Sequence, residues 1–372
     1  MTRRPRARKP RARKPRGRSV VGERLEVEVG PVAHGGHCVA RTEEGRVLFV
    51  RHALPGERVV AEVTEGTEGD RFWRADAVEV LDASADRVEP PCPYAGPGRC
   101  GGCDLQHVAL HRQRELKADV VREQLRRLAR LEVDVEVEPV SGDRDGLHWR
   151  TRQRYVELPG GRRGMRKHRS HDVVEVDRCL LEAPGGITPE VLGVEFERAE
   201  DGFWQVHPGA PEVLVDTVLG MLRPRAGESA LDLYAGVGLF ARFLSTAVGE
   251  RGRVVAVEAD RAAAEHAAAN CPGVEVRAGA VERVLATAYR ERFDLVVLDP
   301  PRVGARRPVV EEVVARAPRA VAYVACDPAA LARDVGLFAE AGYRLDRLRA
   351  LDLFPMTHHV ECVALLTVPD RG

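Results

Sequence analysis

Apolar and polar residues alternate in four short stretches near the amino terminus, LEVEV, RVLFV, RVVAEV and DAVEV. A period of two marks half-buried strands, and turns such as HGG and ALPGE separate them. Five or so short strands between Glu23 and Val80 predict a small barrel of the OB type. Between Glu89 and Arg130 a cysteine-rich loop, PPCPYAGPGRCGGCDLQH, precedes ALHRQRELKADVVREQLRRLA, whose apolar residues recur at helical spacing. From about Pro211 the strands SALDLY, RVVAVE, VEVRA, FDLVVLD, RAVAYVA, YRLDRLRALDLF and HVECVALLTV follow, with helical segments between the first six. This alternation predicts a mainly parallel, Rossmann-like α/β sheet covered by helices on both faces. Only FPMTH separates the last two strands, so they are expected to pair antiparallel at the sheet edge.

The length of 372 residues suits several domains. The divisions expected are a disordered basic tail at 1–20, a barrel at 21–82, a central cysteine-bearing domain at 83–205 and the α/β domain at 206–372. Lys+Arg and Asp+Glu balance at 57 each, but ten of the basic residues and no acid fall in the first twenty positions. Such a tail has too little apolar surface to fold, while its charge suits phosphates; a solubilising extension is the plainer alternative. No apolar run reaches membrane-spanning length and no secretory core follows the basic start. A cytoplasmic protein without membrane association or an obligate protein partner is expected.

LDLYAGVGLFA closes the first strand of the α/β region with Gly236 and Gly238 in a strand-to-helix turn. Glycines there let backbone approach a ligand and leave helix N-terminal N–H groups available. The next strand ends at Glu258, where a carboxylate reaches ribose hydroxyls. The turn also fits the G-x-G-x-x-A dinucleotide fingerprint, so by itself it leaves NAD and S-adenosylmethionine open.

Two further strands end in Asp299-Pro300-Pro301-Arg302 and Cys326-Asp327-Pro328, at the edge where open α/β sheets bind ligands. Glu361 leads the last apolar strand, where partial burial raises a carboxyl toward a base working near neutrality. His358 and His359 are adjacent, and in a strand their side chains would take opposite faces, which argues against a shared metal.

The ordered set YAGVG, DPPR, ACDPAALARDV and FPMTHHVE resembles the S-adenosylmethionine-dependent RNA 5-methyluridine methyltransferases, over about Glu23 to Val368. The barrel and cysteine loop are similar to that family's cluster-bearing members, whose first domain is called TRAM. The resemblance implies a class I methyltransferase fold behind a TRAM barrel, with Cys326 as nucleophile toward C6 of uracil and Glu361 as the base that removes the C5 proton. It implies cofactor contacts from Gln205, Tyr234, Glu258 and Asp299, and a role for Arg302 with phosphate or an enolate. The chain departs from the family pattern at His207 and Asp327, where Asn is usual, at Ala325, where Ser is usual, and at Leu239, where some members place Asn.

Cys92, Cys100 and Cys103 share one loop and Cys179 lies in DVVEVDRCLLE. Four thiolates suit an iron–sulfur cluster or tetrahedral zinc, and the resemblance implies a 4Fe–4S cluster. Cys38, Cys271 and Cys362 read as buried small residues. From His148 to Arg169 eight Lys/Arg accompany one acid, with Arg150, Arg152 and Arg154 expected on one strand face beside Trp149 and Tyr155. Basic groups with aromatic neighbours suit single-stranded RNA. The resemblance favours 23S ribosomal RNA over transfer RNA as substrate. The rival classes are a nicotinamide oxidoreductase, which would ignore S-adenosylmethionine, and a noncatalytic RNA-binding protein, which would form no covalent adduct.

Overall fold

Five strands close into a barrel: β1 (Arg24–Ala33), β2 (His37–Arg41), β3 (Val47–Arg51), β4 (Arg58–Glu65) and β5 (Phe72–Asp82), in the order β1-β2-β3-β5-β4. The computed structural model describes residues 17–185 and 189–369. Inward residues alternate as the sequence pattern requires, with Val27, Val29, Leu48, Val50, Val59, Ala61, Val63 and Ala75 buried. Residues 1–16 of the expected tail lie outside the described residues. Its last part belongs to the barrel instead: Val20 is buried in the barrel core, and Arg18 pairs with Glu23 and Glu68. The barrel closes through the pairing of β1 with β4, and buried Glu57, just before β4, accepts two bonds from Arg87 at 2.6 Å.

The outer face over β2, β3 and β5 carries aromatics and a cation. Phe49 packs edge-on against His37 and Phe72, at 4.6 and 5.2 Å between centroids. The Arg74 guanidinium lies 5.0 Å from the Phe72 ring centroid.

From Val88 the chain forms a second compact unit, into which the turn His34–Gly36 also counts. Its spine is a sheet of β12 (Ser229–Leu233), β13 (Arg253–Glu258), β14 (Glu275–Ala278), β15 (Leu295–Leu298), β16 (Ala320–Ala325), β17 (Arg344–Leu351) and β18 (Glu361–Thr367), joined by β6 (Val137–Glu138). The order is β14-β13-β12-β15-β16-β18-β17-β6. Helices α2 (Ala210–Leu222), α3 (Leu239–Val248), α4 (Arg261–Asn270), α5 (Val281–Ala288), α6 (Arg306–Ala315) and α7 (Pro328–Glu340) cover it, with two apolar clusters packed around the strands.

The last two strands pair antiparallel, but not at the edge. Strand β18 is buried along nearly its whole length, so it lies between β16 and β17, and β6 caps the half-exposed β17. The central segment is therefore tied into the sheet: helix α1 (Leu110–Gln124) buries Ala118 and Val121 in the same core as β16 and β18. A single π turn, Leu125–Ala129, ends it at Arg130 in the left-handed region. The rest of this segment holds a three-stranded sheet of β7 (Val156–Leu158), β8 (Arg162–Arg166) and β9 (Val173–Glu175), then a hairpin of β10 (Glu190–Val191) and β11 (Val194–Glu195).

Candidate active site

The carboxyl ends of β12, β13, β15 and β16 lie along one edge and carry the glycine turn, Glu258, Asp299 and Cys326. After β12 the backbone turns sharply, with Tyr234, Gly236 and Gly238 all at positive φ. A Cβ on Gly236 would meet nothing within 4 Å, so this backbone borders open space, whereas one on Gly238 would stand 2.5 Å from Cys271 Sγ. Gly238 is thus required by the packing of α3 against the end of α4, and Gly236 by the turn itself. Glu258 organises the turn: its carboxylate accepts from Gly236 N–H at 2.9 Å and Asp260 N–H at 2.7 Å. The Gly236 N–H is therefore engaged rather than free, but both carboxylate oxygens retain lone pairs for a ligand hydroxyl.

Asp232, not singled out from sequence, lies beneath this turn. It is fully buried and accepts from Ala241 N–H at 2.7 Å, while its second oxygen has no partner. Burial pushes its carboxyl up to about 7, and Asp299 and Glu258 add repulsion. Asp299 is raised to about 7 by burial and then by Glu258. A buried edge holding three carboxylates is suited to a cationic ligand. Gln205 is half-buried between Trp204 and His207, and Trp204 packs in the same apolar cluster as Ala235 and Val237 of the turn.

The second half of the site arises from strand register. Ala325 of β16 pairs with Cys362 of β18, so one antiparallel step further Cys326 faces Glu361, with both side chains on the same side of the sheet. Burial pushes the Cys326 thiol up to about 12; Glu361 adds to this and Arg302 opposes it. Glu361 is driven well above the usual carboxyl range by burial and then by Asp299, again opposed by Arg302. Asp327 caps α7 by accepting from Ala330 N–H at 2.8 Å, a role its carboxylate fills as well as the amide usual in the family.

The loop leading to Glu361 is held by the central segment. Buried Lys117 donates to Asp352 at 2.6 Å and to the Phe354 carbonyl at 3.0 Å. Gln113 accepts from Met356 N–H at 2.9 Å. His358 bonds Asp104 through Nδ1 at 2.6 Å. The two histidines precede the strand rather than lying in it, so their rings are not on opposite faces but 4.0 Å apart. Burial, then His358 and Arg302, push His359 down to about 3, leaving it neutral.

Comparison with known proteins accords with this geometry. A TRAM domain model matches residues 18–78, a tRNA (uracil-5-)-methyltransferase model residues 281–368 and a small methyltransferase domain model residues 211–323. An uncharacterized RNA methyltransferase of Streptomyces avermitilis is 46% identical, over 95% of this chain and 100% of its own. Another, from Streptomyces coelicolor, is 47% identical over 95% of each chain. The chain belongs to the uracil-C5 RNA methyltransferase family. It is an S-adenosylmethionine-dependent enzyme with a TRAM barrel, and the nicotinamide reading of its glycine turn is set aside. The crystal structure of Pyrococcus abyssi tRNA (uracil-54, C5)-methyltransferase in complex with S-adenosyl-L-homocysteine shares the fold. Its TM-score is 0.68 at 20% identity, covering 92% of this chain and 100% of that one.

In this methyltransferase Cys92, Cys100, Cys103 and Cys179 line a single pocket with Arg150 and Gln106. Gln106 donates to Cys103 Sγ at 3.1 Å and Gly102 N–H to Cys100 Sγ at 3.4 Å. Burial raises the Cys100 and Cys179 thiols, and Arg150 opposes it in both. Among the described residues no group of three or more His, Cys, Asp or Glu side chains is disposed to hold one metal ion. Cys38, Cys271 and Cys362 are buried as expected.

The basic stretch differs from its expectation. Residues 150–155 form no regular strand, because Trp149 is buried against Leu181 and Met356 and pulls the chain inward. Arg150 lines the cysteine pocket and Arg152 bonds the carbonyls of Asp201 and Gly202. Of the three arginines only Arg154 is exposed. His207, at the usual Asn position, stacks on Trp149 at 6.0 Å and accepts from Gly209 N–H. No described helix is long and apolar enough to cross a membrane.

Proposed function

We propose that this enzyme makes 5-methyluridine in 23S ribosomal RNA through a covalent bond between Cys326 and C6 of the target uracil. The observation that carries the covalent reading is the register that, continued one step, places Cys326 across from Glu361; the choice of 23S ribosomal RNA rests on the family resemblance. C5 of uracil is a weak nucleophile until C6 carries a new bond. The Cys326 thiolate adds to C6, and the electron pair moves into an enolate that makes C5 nucleophilic. Bound S-adenosylmethionine supplies an electrophilic methyl group on a sulfonium.

Glu361 then takes the C5 proton, the C5–C6 double bond re-forms and Cys326 leaves as thiolate. The high proton affinity that burial gives Glu361 suits it to that transfer, and the charge of Arg302 favours both thiolate and carboxylate. Gly236, Gly238, Tyr234, Gln205, Glu258 and Asp299 are assigned to the cofactor: open space borders Gly236, and the carboxylates of Glu258 and Asp299 suit ribose hydroxyls and a cation. The target uridine leaves its stack to reach Cys326. The outer face of the barrel, with Phe49, Phe72 and Arg74, is assigned to single-stranded RNA bases.

The cysteine pocket is assigned to a 4Fe–4S cluster held by Cys92, Cys100, Cys103 and Cys179. Support comes from four thiols around one cavity, N–H donors on two of the sulfurs and a nearby arginine. A single zinc would need its donors within about 2.3 Å of one point; a four-iron cluster takes them farther apart. Such a cluster would serve structurally, since Cys103 and Cys179 pack with Met356 of the loop before Glu361. Anaerobically purified protein should contain iron and acid-labile sulfide in equal amounts; zinc in their place would overturn this assignment.

The family model named for transfer RNA favours a second reading, with transfer RNA as substrate. Unmodified 23S and transfer RNA transcripts, each incubated with enzyme and S-adenosylmethionine and then digested, separate the two by mass spectrometry. 5-Methyluridine in the 23S pool alone is the expected result. Product in the transfer RNA pool alone selects the second reading, and none in either contradicts both.

A further inference from the structure

The motif ACDPAALARDV contains an Arg-Asp pair, Arg333-Asp334, that the chemistry above does not use. On a helix following the nucleophile an acid would ordinarily face water, yet Asp334 is fully buried. One carboxylate oxygen accepts from the Tyr323 hydroxyl at 2.7 Å and from Arg306 N–H at 3.1 Å; the other accepts from Arg333 Nε at 2.9 Å. Tyr323 in turn accepts from Ala305 N–H at 2.9 Å, and Arg333 donates to the Val303 carbonyl at 2.8 Å.

Three backbone groups between Val303 and Arg306 are thus bonded to side chains of β16 and α7. Gly304, at φ +75°, lets the loop approach, since a Cβ there would collide with Arg333 and Asp334. This run directly follows Asp299-Pro300-Pro301-Arg302, whose two prolines offer no N–H groups of their own. Strand β16 ends one residue before Cys326 and α7 begins two residues after it. The network therefore joins the loop carrying Arg302 to the two elements that carry the nucleophile.

We propose that Asp334, with Tyr323 and Arg333, is a positioning residue that sets where the Arg302 guanidinium stands relative to Cys326. The inference rests on the proposed roles of Arg302 and Cys326. Buried and accepting at both oxygens, Asp334 is replaceable by Asn only with loss, because an amide cannot accept at both of its terminal atoms. Displacing a cation near the reacting thiol by an ångström costs on the order of ten- to a hundredfold in turnover.

The test uses Asp334→Asn and Tyr323→Phe in the full-length enzyme. Alkylation of Cys326 at fixed pH is followed by peptide mass spectrometry beside kcat and the KM for S-adenosylmethionine. Both variants should slow Cys326 alkylation several-fold and lower kcat, leave the cofactor KM unchanged, and add little further loss in an Arg302→Ala background. A purely structural role would lower thermal stability without moving the thiol's reactivity. If Asp334→Asn does not fold, Tyr323→Phe, which removes one hydroxyl, reads the same effect. Unchanged alkylation and kcat in the variants, with an active wild type, would overturn the inference and leave the methyl-transfer reading standing. A wild type inactive on both RNAs would overturn that reading instead.

Discussion

Glu361 lies across from Cys326, one step beyond the pairing of Ala325 with Cys362. Glu361 opens β18 and Cys326 directly follows the last residue of β16, so their separation is set largely by the pairing of these two antiparallel strands. In the proposed mechanism covalent addition and proton removal act on neighbouring carbons of one ring, C6 and C5, and this strand pair is a fitting support for both.

Separate roles for the pair predict separate failures. Cys326→Ala should abolish methylation and leave S-adenosylmethionine binding intact. Glu361→Gln should permit one methyl transfer and stall before release, giving a denaturation-resistant protein–RNA band on gels. Free methylated product from the Glu361→Gln enzyme would remove Glu361 as the base.

Cofactor affinity should rise with pH. Asp299 has a carboxyl near 7 in the folded chain against an ordinary value of 3.8, so it gains its charge as pH rises through neutrality, and a sulfonium binds the charged form better. Stability of the cofactor-free protein moves the other way. Between about 4 and about 7 the folded chain holds a proton on Asp299 that the unfolded chain has lost, so stability declines across that window and levels off above it. Calorimetric titration at pH 6 and 8 checks the first claim, and urea midpoints of wild type and Asp299→Asn check the second. The variant should show weaker dependence in both.

The buried ion pair beneath the loop before Glu361 should be intolerant of half-removal. Lys117→Met leaves Asp352 buried with only Arg114 for charge compensation, and a loss of about 3–5 kcal/mol in urea denaturation is expected. The double substitution Lys117→Met/Asp352→Leu should recover part of that loss. Equal stability of wild type and Lys117→Met would show that the pair does not anchor this loop.

Gly238→Ala should weaken both folding and cofactor binding. The added methyl meets Cys271 Sγ, and the residue must also hold φ +92°; together a cost of roughly 1–3 kcal/mol is expected. Adding Cys271→Ala should relieve the clash but not the backbone strain, so recovery of thermal stability should be partial. Full recovery would mean that the positive φ carries no cost.

The βα alternation, the glycine turn and the strand-terminal motifs were legible because a period of two, a period of 3.6 and glycine punctuation are local signals. The position of β18 inside the sheet was not, since FPMTH looks like a simple hairpin connection and only burial of the whole strand puts it between β16 and β17. Alternation of Arg150, Arg152 and Arg154 imitated a strand face, but the burial of Trp149 decides the local path. Asp334 and Lys117 carry no local sign of burial in the sequence, and only tertiary packing encloses them. Asp232 offered a readable signal, a carboxylate inside an otherwise apolar strand, SALDLY.

The most direct test of the account is to incubate the enzyme with S-adenosylmethionine and a 5-fluorouridine-substituted transcript of the RNA it methylates. Fluorine at C5 cannot leave as a proton, so the cysteine–C6 bond persists after methyl transfer. A denaturation-resistant adduct that maps by peptide mass spectrometry to Cys326 and is absent from Cys326→Ala is expected. Methylation of the native transcript with no trapped adduct, or an adduct on another cysteine, would contradict it.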